Sequence, residues 1–259
     1  MTAAIADATP GAVIEMRSGT YRETLTIGTA QVTIRSADAD RAVLDCSGMV
    51  PAQSKGCLVA LRTGLTIDGL VITGARGGEG NEACLRNEPD VDVTLRHVEC
   101  YGSYNGILAA GGDWVIEDSH FHDNGAGDGQ THNIYLSGTC GSVVARGLVS
   151  ERAIGGHAFK SRCAVSTIEN STLVDNTVAD AAEFPDGGAV RIVDTRITQP
   201  DGDNGNIVRH GAESCTHGGQ LTLERVTVVN ERSRGYIRSS CAPVVVSDST
   251  IPASVTISG

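Results

Sequence analysis

The sequence predicts an all-β chain wound as a parallel β-solenoid, and three observations carry that reading. The first is a cryptic repeat. Ile67, Leu95, Ile116, Val144, Ile168, Ile192, Leu223 and Val246 are each followed, five residues on, by Ile72, Cys100, Phe121, Val149, Leu173, Ile197, Val228 and Ile251. The intervals are 28, 21, 28, 24, 24, 31 and 23 residues, a period near one coil of a solenoid rather than any helical spacing. The second is composition: Gly is 32 of 259 residues and aromatics are only 3%, so stacked Val, Ile, Leu and Ala must fill the interior. The third is local chemistry, in which short β-branched runs are bounded by turn signals such as Asp201-Gly202.

Along the chain, Met1–Pro10 and the Gly11–Met16 stretch read as a cap helix or a first strand over the open end, since terminal repeats need capping. Residues 1–30 are therefore the expected cap and first coil. From about Val32 the repeat runs to the last ten residues with no Ser/Pro linker or composition break, which predicts one domain over 1–259. Val91–Val98, Trp114–Ile116, Ser142–Ala145 and Gln220–Val229 read as strands. Successive strands of one column lie about 4.7–4.9 Å apart, so roughly ten coils would form a rod on the order of 50 Å long with a groove along its side.

The eight cysteines narrow under the same ruler. Cys140 with Cys163 and Cys215 with Cys241 are 23 and 26 residues apart, one coil each, and could bridge neighbouring coils. Cys46 with Cys57 and Cys84 with Cys100 would close shorter loops. The alternative is a stack of reduced, buried thiols packed as small hydrophobes. Disulfides would imply an oxidising compartment. The first twenty residues lack a basic start and a continuous apolar run, so neither a signal peptide nor a membrane span is expected. A net charge of −11 argues against nucleic-acid binding. A monomeric, mature secreted or periplasmic protein fits these features.

Aligning the second strand of each coil, with Leu85, Ile107, Ile134, Phe159, Ala182, Val208 and Ile237 inward, sends the next residue outward. That outward column is Arg86, Leu108, Tyr135, Lys160, Glu183, Arg209 and Arg238. An acidic chain has placed four cations and a tyrosine on one stripe, with a repeat close to one sugar unit, which suggests an extended anionic polysaccharide held through Arg–carboxylate pairs. Lys160 is one of two lysines among 20 basic residues. Beside Arg162 and within two coils of Arg209, it is expected to lose its proton more readily than a free lysine and to act as a general base, which an arginine cannot easily do. His132, Asn133, Tyr135 and His157 gather nearby, although regular alternation would turn both histidines inward.

The coil pattern, Lys160-Ser161 and Val208-Arg209-His210-Gly211 resemble the right-handed parallel β-helix polysaccharide lyases and epimerases of the pectate lyase superfamily, and in their motifs the alginate lyase and chondroitinase B group, polysaccharide lyase family six. The resemblance implies β-elimination at a uronate, with Lys160 as base and Arg209 as acid or charge neutraliser. In that group the lysine and arginine lie on adjacent coils, whereas here they are 49 residues, about two coils and roughly 10 Å, apart. Tyr135, His157 and Arg162 are therefore further candidates for the acid. Arg86, His132, Asn133, Glu183, His210 and Arg238 are the expected substrate-binding residues.

An epimerase would use the same proton abstraction, and a non-catalytic carbohydrate-binding rod would need stacking aromatics, for which Trp114, Tyr135 and Tyr236 are the few candidates. A hydrolase would want two opposed carboxylates, and only Glu183 with Asp186 is near. Asp123, Asn124 and Asp128 form an oxygen-rich loop suited to Ca2+, but the same residues serve ordinary turns, and no resident cofactor is assigned.

Overall fold

The computed structural model describes residues 1–77, 80–175, 178–202 and 205–259. Every pairing between its strands is parallel. Among the described residues one short helix, Thr2–Ala6, whose Ile5 is buried, precedes a first strand, Val13–Met16. The choice between helix and strand at the start thus resolves into both. No helix among the described residues is long and apolar enough to cross a membrane.

Each coil carries three strands on three faces, as in Leu65–Asp68, Val71–Thr73 and Ala83–Asn87. Strands stack on their equivalents in the next coil, so one residue position becomes a column running along the axis. Twice, the third strand of one coil runs straight into the first strand of the next, as Asn105–Glu117 and Ile134–Arg146. These join two faces into one 18-stranded sheet, and the middle strands form a separate 9-stranded sheet.

The repeat read from the sequence is the corner between the first and second faces. Ile34, Ile67, Leu95, Ile116, Ala145, Ile168, Ile192, Leu223 and Val246 form one column. Leu44, Ile72, Cys100, Phe121, Ser150, Leu173, Ile197 and Val228 form its partner. The corner turns on one residue in left-handed conformation, occupied in order by Gly69, His97, Asp118, Gly147, Asn170, Asp194, Arg225 and Asp248. Gly, Asn and Asp suit that conformation because they escape or offset its Cβ–carbonyl crowding. Gln220–Val229, expected as one strand, is split by this corner at Arg225 into Leu221–Glu224 and Thr227–Asn230.

One coil departs from the expected register. Ala145 and Ser150, not Val144 and Val149, take the inward positions, and both valines are only partly buried. Valine side chains point outward here because Ser150 is tied to the interior: its hydroxyl donates to Ala158 O at 2.7 Å and accepts from Asn133 Nδ2 at 3.2 Å.

A hydroxyl residue after the corner, present at Ser119, Ser171, Thr195 and Ser249, repeats a second device. Ser119 Oγ accepts from Val98 N at 3.0 Å and donates to Glu117 O at 2.7 Å. Ser171 Oγ does the same with Leu148 N at 3.1 Å and Glu169 O at 2.7 Å. Each serine therefore satisfies a buried amide of the coil below while closing its own turn. The apolar part of the interior is mostly aliphatic, joined by Phe121, Phe159 and Phe184 and by a fully buried Trp114 whose indole donates to Gly111 O at 3.0 Å. Trp114 is accordingly a core residue and not a stacking platform.

All eight cysteines pair as Cys46–Cys57, Cys84–Cys100, Cys140–Cys163 and Cys215–Cys241, with Cα separations of 5.7, 6.3, 4.4 and 5.4 Å. The last two join neighbouring coils, as the one-coil spacing implied. Four disulfides fit a protein matured in an oxidising compartment.

Ser171→Ala tests the corner device. It strands the Leu148 amide, so urea unfolding should show a loss of about 1–3 kcal/mol; an unchanged midpoint would show that the corner does not depend on this hydroxyl.

Candidate active site

The outward column expected from the sequence is present in register. Arg86 pairs with Leu108, Leu108 with Tyr135, Tyr135 with Lys160, Lys160 with Glu183, Glu183 with Arg209 and Arg209 with Arg238. Lys160 and Arg209 are indeed two rungs apart, and the rung between them is a carboxylate.

Glu183 is the centre of the site. Its side chain is only 4% exposed, with Oε2 2.8 Å from Lys160 Nζ and 3.0 Å from His157 Nε2, and Oε1 2.6 Å from Arg209 Nη2. Arg209 also pairs, through Nε, with the buried Asp180. Burial opposes the charge on Glu183, but His157 and Lys160 outweigh it and hold the carboxyl well below its ordinary range. Glu183 is thus a neutralised interior anion and not the substrate ligand expected of it. Arg209 keeps about a third of its side chain exposed, but its guanidinium is committed to two carboxylates, which disfavours it as a proton donor.

The electrostatic company of Lys160 also differs from expectation. Its Nζ faces Glu183 and, at 3.9 Å, Glu213, and lies 5.2 Å from the centre of the Tyr135 ring. The neighbouring cations that were expected to crowd it, Arg162 and Arg209, are each turned onto acids. Arg162 Nη1 donates to both Asp186 oxygens at 3.0 Å and Nη2 to Glu213 Oε2 at 2.7 Å. Its Nε donates to Tyr135 Oη at 2.8 Å. Burial disfavours the Arg162 charge, but Tyr135, Glu213 and Asp186 together raise its affinity for the proton further. Since Arg162 fills an acceptor site on Tyr135 Oη, the phenol keeps its own hydrogen free to point elsewhere. Asp186 is bound to Arg162 and Ser214, so the Glu183–Asp186 pair offers no hydrolase geometry with free carboxyls.

Beneath this layer runs a second column, three residues upstream of the first. Asn105 Oδ1 accepts from His132 N at 2.9 Å, His132 Nδ1 from His157 N at 2.9 Å, and His157 Nδ1 from Asp180 N at 3.0 Å. Each side chain receives the backbone N–H of the next rung. An imidazole that accepts at Nδ1 carries its hydrogen on Nε2 when neutral, so His157 presents Nε2–H to Glu183. Burial, then the proximity of His157 and Lys160, pushes His132 down to about 2; it is a neutral, stacked base plate under Tyr135 and His157, with ring centres 5.2 and 4.9 Å away.

Several expected ligands therefore fall inside the wall. Asn133 is fully buried and donates to Phe121 O, Ser150 Oγ and Glu151 O. His210 is 1% exposed, with Nδ1 2.9 Å from Ser239 Oγ and Nε2 2.9 Å from Gly188 O, and burial lowers its basicity. Neither side chain reaches the surface, and His132 and His157 hold their neighbours. Arg86 and Arg238 remain on the stripe, Arg238 with its guanidinium 4.0 Å above the Tyr236 ring. Asp180 and Glu213 belong to the site and were not singled out from the sequence. Asp180 was findable as the third member of the His132–His157 column; Glu213 arrives from a loop beside the Cys215–Cys241 bridge, which no periodicity marks.

The oxygen-rich loop does not converge as a Ca2+ site. Asp123 binds Arg152 and His122, Asn124 Oδ1 accepts from Ser103 N, and Asp128 Oδ1 accepts from the amides of Gln130 and Thr131. His157, Asp180 and Glu183 have ligand atoms within 4.8 Å of one another, but Nε2–H of His157 and the two cations on the carboxylates already fill the positions a metal would take.

If Glu183 is ionised only through these partners, its contribution to stability is present above the ordinary carboxyl value of 4.5 and is lost as pH falls below it, because the unfolded chain then binds a proton that the folded one resists. Glu183→Gln should lower the unfolding free energy at neutral pH by about 3–5 kcal/mol and flatten the acid limb of a urea-midpoint profile. A profile identical to wild type would remove Glu183 from this role.

No family model and no curated protein matches the chain. Among solved structures it is similar to an alginate lyase from Paenibacillus at 17% identity and TM-score 0.72, covering 99% of this chain and 94% of that one. It is similar to a pectate lyase at 17% identity and TM-score 0.65, covering 98% and 72%, and to a pectin methylesterase crystallised with a hexasaccharide at 12% identity and TM-score 0.54, covering 99% and 87%. At these identities the likeness concerns the fold, and the chain is a parallel β-helix of the kind those structures share.

Proposed function

We propose that the protein is a polysaccharide lyase that cleaves a uronate-containing anionic polysaccharide by β-elimination, with Lys160 as base and Tyr135 as acid. One observation carries this reading: Lys160 and Tyr135 occupy the same column on adjacent rungs, with the Tyr135 oxygen held by Arg162. Two proton-transfer groups one rung apart can address the carbon next to the uronate carboxylate and the neighbouring leaving oxygen, which Lys160 and Arg209, two rungs apart, cannot. The alginate and pectate lyases of like fold support the reaction class.

Abstraction next to a carboxylate builds a second negative charge on the sugar, so the site must supply positive charge before the base acts. Arg162 and the exposed edge of Arg209 flank the pair, and Arg86 and Arg238 extend the positive stripe to either side for neighbouring uronates. Lys160 takes the C5 proton, the C4–O bond breaks as the C4–C5 double bond forms, and Tyr135 gives its proton to the departing oxygen. The step requires Lys160 Nζ as the neutral amine, and its side chain is 13% exposed.

The test is incubation with alginate, pectate, glucuronan, gellan and glycosaminoglycans, following the ultraviolet absorbance of the unsaturated uronate. On the substrate that responds, Lys160→Ala and Tyr135→Phe should each lower kcat by roughly 10²–10⁴-fold. Full activity in Lys160→Ala, or no absorbance on any substrate, sinks the assignment. Inversion at C5 without absorbance would identify an epimerase instead.

A further inference from the structure

A second cluster lies on the middle face, the 9-stranded sheet, which does not carry the Lys160 column. His120 and His122 flank the inward Phe121, so both leave the same face of the strand His120–His122. The rung before places Glu99 directly beside His120 and Tyr101 beside His122, and the rung after places Glu151 beside His122. One ligand atom each of Glu99, His120 and His122 lies within 4.8 Å of the others. None of these residues takes part in the proposed elimination.

We infer that Glu99, His120 and His122 form a binding site for a divalent transition metal, zinc in the first instance, with a fourth position open to solvent. The donor set is two imidazoles and a carboxylate, which suits zinc and neighbouring metals better than calcium.

Three features of the geometry point to a cation here and not to a plain surface network. First, both nitrogens of His122 face carboxylates, Nδ1 at 2.6 Å from Asp123 Oδ2 and Nε2 at 3.3 Å from Glu99 Oε1. A neutral ring has one hydrogen, and the short contact claims it. With Nδ1 directed at Asp123, Nε2 is the ring donor left for a metal, on the side it shares with Glu99 Oε1. Second, 3.3 Å matches the edge of a tetrahedron with metal–ligand bonds of about 2.0–2.1 Å, which is about 3.3 Å. Third, Asp123 behind Nδ1 is the outer carboxylate that commonly orients a metal-binding imidazole, and it is itself anchored by Arg152 Nη2 at 2.9 Å.

The surroundings hold the other ligands in place. Arg41 takes Oε2 of Glu99 and leaves Oε1. The Tyr101 ring stacks on His122 at 5.2 Å and 10°, and the two imidazole centres are 4.2 Å apart. His120 has a side chain 37% exposed and lies 3.1 Å from Glu151 Oε1, a contact it must exchange for the metal. His122, at 13% exposure, forms the floor of the site, and the solvent side supplies the vacant position. A bound ion would tie two coils together across the sheet.

The experiment is titration of untagged, chelator-treated protein with Zn2+ alone by isothermal calorimetry, paired with thermal unfolding. We expect one equivalent bound and a metal-dependent rise in Tm. Both should be lost in His122→Ala and in His120→Ala, and affinity should fall by roughly 10–100-fold in Asp123→Asn. Ca2+ in excess should not displace the ion. Co2+ should give visible bands of tetrahedral intensity in wild type and not in the variants, which separates loss of the site from loss of fold when the metal-free variants unfold at the wild-type temperature. Absence of Zn2+ binding in wild type, or equal binding in either histidine variant, overturns the inference.

Discussion

The structure depends on one constraint: every strand hydrogen-bonds to the equivalent strand of the next coil, so the separation of neighbouring rungs is set by the backbone at about 4.7–4.9 Å. Side-chain identity then acts only through columns. An inward column must be apolar or internally bonded over its whole length, because a β-strand that slips by one residue exposes its core positions. An outward column presents its groups at backbone spacing whether or not a function uses them. The left-handed corner residue, from Gly69 through Asp248, renews the register once per coil, and the serine or threonine that follows in several coils bonds the turn to the rung below.

That constraint explains what the sequence makes legible. The corner pairs were readable because the apolar residues on either side of the turn sit a constant five apart, and the Lys160 stripe was readable because an error in one coil is caught by those on both sides. The slip at Val144 and Val149 has a definite cause. Hydrophobicity favours two valines over Ala145 and Ser150, but the turn chemistry does not: Gly147 stands two residues after Ala145, where the corner needs a residue tolerant of positive φ, and Arg146 would stand there in the other register. The glycine was the better signal. Ser150 is a polar residue inside the wall because Asn133 and Ala158 satisfy it, which no hydrophobic pattern can anticipate.

The site was legible in its positions and not in its electrostatics. Reading Arg86 to Arg238 as a cationic stripe placed each residue correctly but treated each charge as facing solvent. Glu183 within the stripe answers Lys160 and Arg209, and the remaining carboxylates come from elsewhere: Asp180 from the column three residues upstream, Glu213 and Asp186 from the loops around Arg162. A lone buried glutamate between a lysine and an arginine is costly to desolvate, and here three partners on the two flanking rungs share that cost. The same interlocking means that Arg209 has its guanidinium engaged in holding Glu183 and Asp180, so motif identity alone overstates its freedom to act.

What remains available at the surface is then decided by elimination of the engaged groups. His157 spends Nδ1 on the Asp180 amide and turns Nε2 to Glu183, His132 is neutral and covered, and His210 and Asn133 are bonded within the coil. Arg162 is left holding three groups at once, and among them only Tyr135 has a hydrogen that its partner does not use. Lys160 ends beside that phenol because residue 135 and residue 160 are the same place on consecutive rungs. A solenoid brings acid and base together most directly when each column position supplies one group and the stacking distance does the rest, and the proposal of Tyr135 rather than Arg209 as acid rests on that spacing of the backbone.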